Sequence, residues 1–336
     1  MASRKQYTLE FLLGAKTDPS YNSSLKNAEN ALTGISSTAK RAAGLITAAF
    51  AAVNITGAIS SAVEEYADFE QELTNTAATA GATNTEYEQM EKAARDAGMA
   101  TTKTASESAA ALGYMALAGW DVNESTSALM PVLKLSEATN LDLARTSDLV
   151  TDSMGALKLE VSELPEYLDL VTKAQNSSNQ TAEQLMEGYI RAGGAARSLG
   201  IDAKDAGIAL GILANNGTKA GEGGRTLNAM LTRIAANKEA VKQMNALKIS
   251  IFDAKGNFVG FEEALKRMNK GLDGLTMEEQ AKALKNIAGT QYYTKMKYLL
   301  DGVKEDANGS ASAWDDLDSK LSHAEGTLDE MDAKIT

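Results

Sequence analysis

The chain has 336 residues, 44% of them hydrophobic and 23% charged, the composition of a folded soluble protein large enough for one or two domains. A net charge of −12 argues against a surface built to grip nucleic acid, because phosphate contact needs clustered Lys and Arg. With no Cys and one histidine, His323, the sequence excludes disulfides, thiolate chemistry, Cys-bound zinc and His-rich catalysis.

Only three prolines interrupt a chain rich in Ala and Leu, which favours helix. The N-terminus does not read as a signal peptide, since its apolar run Leu9–Leu13 is short and broken by Glu10. Residues 5–13 alternate, with Tyr7, Leu9, Phe11 and Leu13 on one face, and predict a strand. Asp18-Pro19 then reads as an N-cap and first-turn proline. From there Leu25, Leu32, Ile35, Ile46 and Val53 hold an a/d register completed by alanines. That spacing predicts a long helix needing a sister helix, a self-association seam. Residues 42–63 carry no charge, a length able to span a bilayer. Eight of them are Ala and five are Ser, Thr or Asn, which suits a buried or self-associating helix; a conditional membrane segment is the other reading.

Between Glu64 and about Leu300 short helices are expected. Thr104–Glu107, Thr181–Gln184 and Thr276–Glu279 are capping-box patterns, and Asn123 and Asp202 are further N-cap candidates. Gly98, Gly119, Gly200 and Gly289 are expected to end helices, and Pro131 to kink or restart one. Lys248–Gly260 holds two β-prone runs around Asp253–Asn257, a small hairpin signal. Gly113-Tyr114 with Gly119-Trp120-Asp121 resembles Gly188-Tyr189 with Gly200-Ile201-Asp202, a weak internal duplication. At the far end Trp314, Leu317, Leu321, Leu328, Met331 and Ile335 fit a/d positions up to the last residues. This reads as the start of a second coiled coil that continues beyond the chain.

Chemistry is mostly sought in vain. Gly217–Thr226 fails the phosphate-loop pattern because Arg225 follows Gly224 and Lys219 takes the place of the first glycine. Asp253–Glu263 fails as a calcium loop because Phe258 stands at the mid-loop glycine position. Glu107-Ser108 echoes the acid/base pair of lytic transglycosylases, but Glu107 is already explained as the fourth residue of a capping box. No catalytic, cofactor or metal residue is nominated, and His323 reads as a solvated helix-face residue.

Several stretches in order carry a family resemblance. They include Tyr66–Glu70, Ala80–Thr83, Met115–Gly119, Leu133–Ala138 and Asn176–Thr181. Ala192–Gly200, Leu210–Ala214, Ala220–Leu227 and Phe252–Phe258 follow. Together, over residues 66–300, they resemble the core of the phage tail tape measure family. The resemblance implies a non-enzymatic virion protein that sets tail length as a scaffold inside the tail tube. It also implies release during genome or effector delivery. Implied partners are other copies of the chain (a trimer or hexamer), the tail tube protein, baseplate or tail-tip proteins and tail assembly chaperones. The host membrane is a further partner during ejection, and no sequence-specific nucleic-acid binding or cofactor is implied. A membrane channel former built on residues 42–63 and a murein hydrolase are the alternatives.

The expected fold is mainly α: a multi-helix domain of short Gly-punctuated helices with one small β-hairpin, flanked by long coiled-coil-type helices. The expected division is a strand and long helix over 1–65, a helical core over 66–302 and a coiled-coil start over 303–336.

Overall fold

A computed structural model describes residues 55–305 and 310–334, with side chains from Glu65 onward. The chain divides into two units, Met1–Tyr66 and Ala67–Thr336. The strand at 5–13 and the seam residues Leu25, Leu32, Ile35, Ile46 and Val53 lie outside the described residues, as does most of 42–63. Among the described residues the protein is mainly helical, with fifteen α-helices. No described helix is long and apolar enough to cross a membrane.

The helices run α1 (Ile55–Ala80), α2 (Asn84–Ala100), α3 (Ala105–Leu117), α4 (Val122–Thr139) and α5 (Leu143–Leu157). After a 3-10 turn at Val161–Glu163 come α6 (Leu164–Ser177), α7 (Ala182–Ser198), α8 (Ala203–Asn215), α9 (Ala220–Ala236) and α10 (Lys238–Ala246). The last are α11 (Phe261–Leu272), α12 (Met277–Ala288), α13 (Tyr293–Gly302), α14 (Ala313–Leu321) and α15 (Thr327–Asp332).

Local chemistry explains most of these bounds. The capping boxes at Thr104, Thr181 and Thr276 form, each threonine hydroxyl accepting from the backbone N–H three residues on while that residue's side chain accepts from the threonine N–H. Helix ends repeat one corner. At Gly119 (φ 90°) the Trp120 N–H donates to Met115 O at 3.1 Å, and Asp121 then caps α4. At Gly200 (φ 71°) the Ile201 N–H donates to Ala196 O at 2.9 Å, and Asp202 caps α8. The same corner occurs at Asn140, with Leu141 N–H on Ser136 O and Asp142 as cap. The Gly119–Asp121 and Gly200–Asp202 part of the suggested duplication is therefore shared with a third corner and follows from turn chemistry.

Four local expectations need adjustment. Asn123 lies inside α4, because Asp121 takes the cap and completes a box with Glu124. Gly98 does not stop α2; a Cβ there would stand 2.8 Å from the Ala105 nitrogen, so its bareness lets the next helix begin close by. Pro131 lies inside α4, which runs on to Thr139, so the helix does not restart there. The Lys248–Gly260 segment forms no strand; a single antiparallel bridge pairs Phe252 with Phe258, whose rings meet edge to face at 6.1 Å.

The middle of the domain is organised around α7. Leu185, Met186, Tyr189, Ala192 and Ala196 are fully buried in one continuous apolar core. Small residues let neighbours approach on two sides. A Cβ on Gly224 of α9 would lie 2.3 Å from Gly188 O, and one on Gly193 would lie 2.8 Å from the Ala156 carbonyl of α5. Arg145 of α5 donates to Glu183 at 3.0 Å and Glu187 at 2.8 Å on the outer face of α7. The Tyr167 and Tyr189 rings meet at a tilt of 51°, centroids 6.0 Å apart; their hydroxyls donate to Ser153 Oγ and Ala203 O, which satisfies both buried groups.

Candidate assembly interface

The C-terminal seam is where sequence and structure part. Instead of one heptad helix, residues 313–332 form α14 and α15, broken at Gly326 in the left-handed region (φ 75°). Trp314 (1% exposed), Leu317, Leu321 and Leu328 are buried in the chain's own core, and Met331 packs against it; Ile335 lies outside the described residues. Trp314 meets Phe261 edge to face at 5.9 Å, while Leu317 and Leu321 lie close to Gly211 and Gly207 of α8. The expected open seam is thus corrected for these residues. Their apolar edge finds cover on α6, α8 and α4, and a sister helix is not required. The 303–336 segment belongs to the same unit as the core.

Polar contacts hold this segment in place. Asp169, on α6, accepts from the Gly326 N–H at 2.7 Å and the Leu328 N–H at 2.9 Å, so a side chain 157 residues away caps α15. Lys134 pairs with Asp329 at 2.7 Å, and Lys204 with Asp318 at 2.8 Å. Beneath α14, burial and the neighbouring Asp202 push the Asp205 carboxyl up to about 6, against the pull of Lys204. Spacing could not flag Asp169, because its partner amides are far away in sequence.

The residues considered for catalysis resolve structurally. Glu107 accepts from the Thr104 N–H at 2.8 Å, as the capping box requires. Gly223 and Gly224 lie within the first turns of α9, which opens at Ala220. His323 is exposed, its Nδ1 2.8 Å from Ser319 O. Among the described residues no group of His, Asp and Glu is placed to hold a metal ion.

Two surface features remain. A groove of about 870 Å³ lies between the start of α6, the start of α8 and the α14–α15 corner. Its rim carries Glu163, Glu166, Asp202 and Glu325, and Pro165 and Leu170 help to line it. Elsewhere, the edge of α10 presents Lys238, Val241, Lys242 and Asn245 around a shallow depression of about 470 Å³.

Comparison with known proteins adds the rest. The family model for phage-related minor tail proteins matches residues 91–289. The chain is 30% identical over 270 residues to the tape measure protein of Pneumococcus phage Dp-1, covering 80% of this chain and 24% of that protein. It is 24% identical over 217 residues to a probable tape measure protein of Escherichia phage P2, covering 63% of this chain and 26% of that one. The chain therefore spans about a quarter of the length of these curated relatives. No solved structure matches it.

Proposed function

Because the chain belongs to the phage tail tape measure family, whose members are structural components of the tail, we propose that it is the folded portion of a length-setting scaffold. In this reading, copies bundle inside the tail tube, tube subunits polymerise around them, and the bundle leaves when the genome or effector is delivered. The N-terminal a/d residues Leu25, Leu32, Ile35, Ile46 and Val53 supply the contact between copies. Tail tube, tail-tip and assembly-chaperone proteins are the other partners. What supports the reading is the match of the minor-tail-protein family model across the folded helical core, 91–289, together with the 30% identity to a tape measure protein over 80% of the chain. The compact corners of this domain do not suit a ruler. Length setting falls to extended helix outside it, and about three quarters of each curated relative lies outside the match.

The test is tail length. A helix advances about 1.5 Å per residue, so 70 residues of heptad helix inserted in frame outside 67–334 should lengthen tails by about 100 Å in electron micrographs. Tails of unchanged length overturn the scaffold reading. Deletion of 67–334 should abolish tails and not shorten them in proportion.

A further inference from the structure

Charge is unevenly divided along this chain. Residues 65–215 hold 10 Lys and Arg against 23 Asp and Glu, whereas 216–305 hold 15 against 10. The division has a shape. Glu166 and Glu325, which line the 870 Å³ groove, are both exposed and enter no ion pair among the described residues, and the cation within it, Lys204, is already bound to Asp318. Half-buried Leu159 and exposed Pro165 add apolar surface between them. On α10, Lys238 and Lys242 stand one helical turn apart, exposed and without an ion pair, with half-buried Val241 between them. This is an acidic groove with an apolar lining, and a short basic helix edge with an apolar residue at its centre.

We propose that the α10 edge of one copy docks in the α6–α8–α14 groove of a second copy. The groove is built from α6, α8 and the α14–α15 corner, while α10 packs on α9 and α12, so separate sets of helices carry the two surfaces and the contact runs between chains. α10 is nine residues long, about 13 Å, and the mode is a helix edge laid in a groove. Each copy offers one surface and receives the other. The contact is therefore heterologous, and it closes into a ring when copies stand side by side around an axis. The proposal stands on charge and shape alone and does not rest on the length-setting role.

The test uses the full chain in sedimentation velocity at 50 and 500 mM salt. Lys238→Glu/Lys242→Glu and Glu166→Lys/Glu325→Lys should each weaken self-association at low salt at least about tenfold, since removing complementary charges slows encounter and speeds release. All four positions are exposed, so both variants should keep the parent's melting temperature. Mixed together, they should regain association in alternating order, because the unaltered α10 edge of the groove variant meets the unaltered groove of the α10 variant and the reversed pair is complementary again, while like copies repel. A crosslink supports this independently. The chain has no cysteine, so Asn245→Cys mixed with Glu325→Cys should give a disulfide-linked dimer absent from either variant alone. Association that ignores salt and both reversals overturns the proposal while leaving bundling through the N-terminal seam intact. A chain that stays monomeric at low salt, or a mixture that associates no better than either variant alone, overturns it as well.

Discussion

Replacing Asp169 by Ala removes the carboxylate that caps α15 from across the fold. Its two oxygens accept from Gly326 N–H at 2.7 Å and Leu328 N–H at 2.9 Å, and Leu328 is only 5% exposed. Water therefore replaces the lost acceptor poorly at Leu328. Loss of an N-cap costs about 1 kcal/mol, and a charge-assisted hydrogen bond to a poorly hydrated amide is worth about 1.5–3 kcal/mol. The two estimates overlap in what they count, so the combined effect is about 2–3 kcal/mol. That cost falls on docking of α15, because α7 packs chiefly on α9, α5, α8 and α6 and not on α15. Amide hydrogen exchange reads it residue by residue. Exchange at Gly326 and Leu328 should accelerate about 30- to 150-fold, while amides of α7 keep their protection. Asp169→Asn, which retains one acceptor oxygen, should fall between. Unchanged exchange at Leu328 in Asp169→Ala would refute the long-range cap and with it the account of how the terminal segment is held.

Other consequences follow from the same geometry. Gly224→Ala places a methyl 2.3 Å from Gly188 O and should cost about 3 kcal/mol in urea unfolding, whereas Gly194→Ala, with nothing within 4 Å, should stabilise by about 0.5–1 kcal/mol; equal effects would sink the close-approach argument. The Asp205 carboxyl titrates higher in the folded state (about 6) than its ordinary value of 3.8, so its ionised form opposes folding: the penalty is absent below pH 4, grows as pH rises through 6 and is complete by pH 7. Asp205→Asn should accordingly raise stability by about 1 kcal/mol at pH 7.5, after allowance for solvent screening, and change little at pH 4, as differential melting at the two pH values will test. Glu107→Gln should weaken only the α3 cap, by under about 1 kcal/mol, and leave peptidoglycan incubated with the protein undegraded; hydrolysis by the parent chain that the variant loses would reinstate an enzyme.

Short-range chemistry was the legible part. Thr104, Thr181 and Thr276 announce helix starts because each cap is a contract between residues three apart, and Gly119 and Gly200 announce corners because a left-handed residue is cheapest as glycine. Asn140, Lys158 and Lys248 adopt the same handedness without glycine and went unread. The a/d edge of Trp314, Leu317, Leu321 and Leu328 was legible as apolar and helical, yet spacing says only that an edge must be covered and is silent on what covers it. The chain's own α8 and α6 supply that cover through Gly207 and Gly211, positions more than 100 residues distant. The acidic groove was illegible for the same reason, since Glu166, Asp202 and Glu325 converge only in the fold.

The remote cap on α15 also fixes how the domain would yield to tension. A load applied at Lys334 reaches the six-residue α15 first, and what resists it is two amides held by one carboxylate, the ion pair of Lys134 with Asp329 and the burial of Leu328. Once these part, the pull passes to α14, where Trp314 leaves its place against Phe261, and only afterwards to the helices locked together at Gly188 and Gly224. Unfolding under a pull applied there would therefore proceed as a peel in a set order, beginning at α15 and sparing the centre until last.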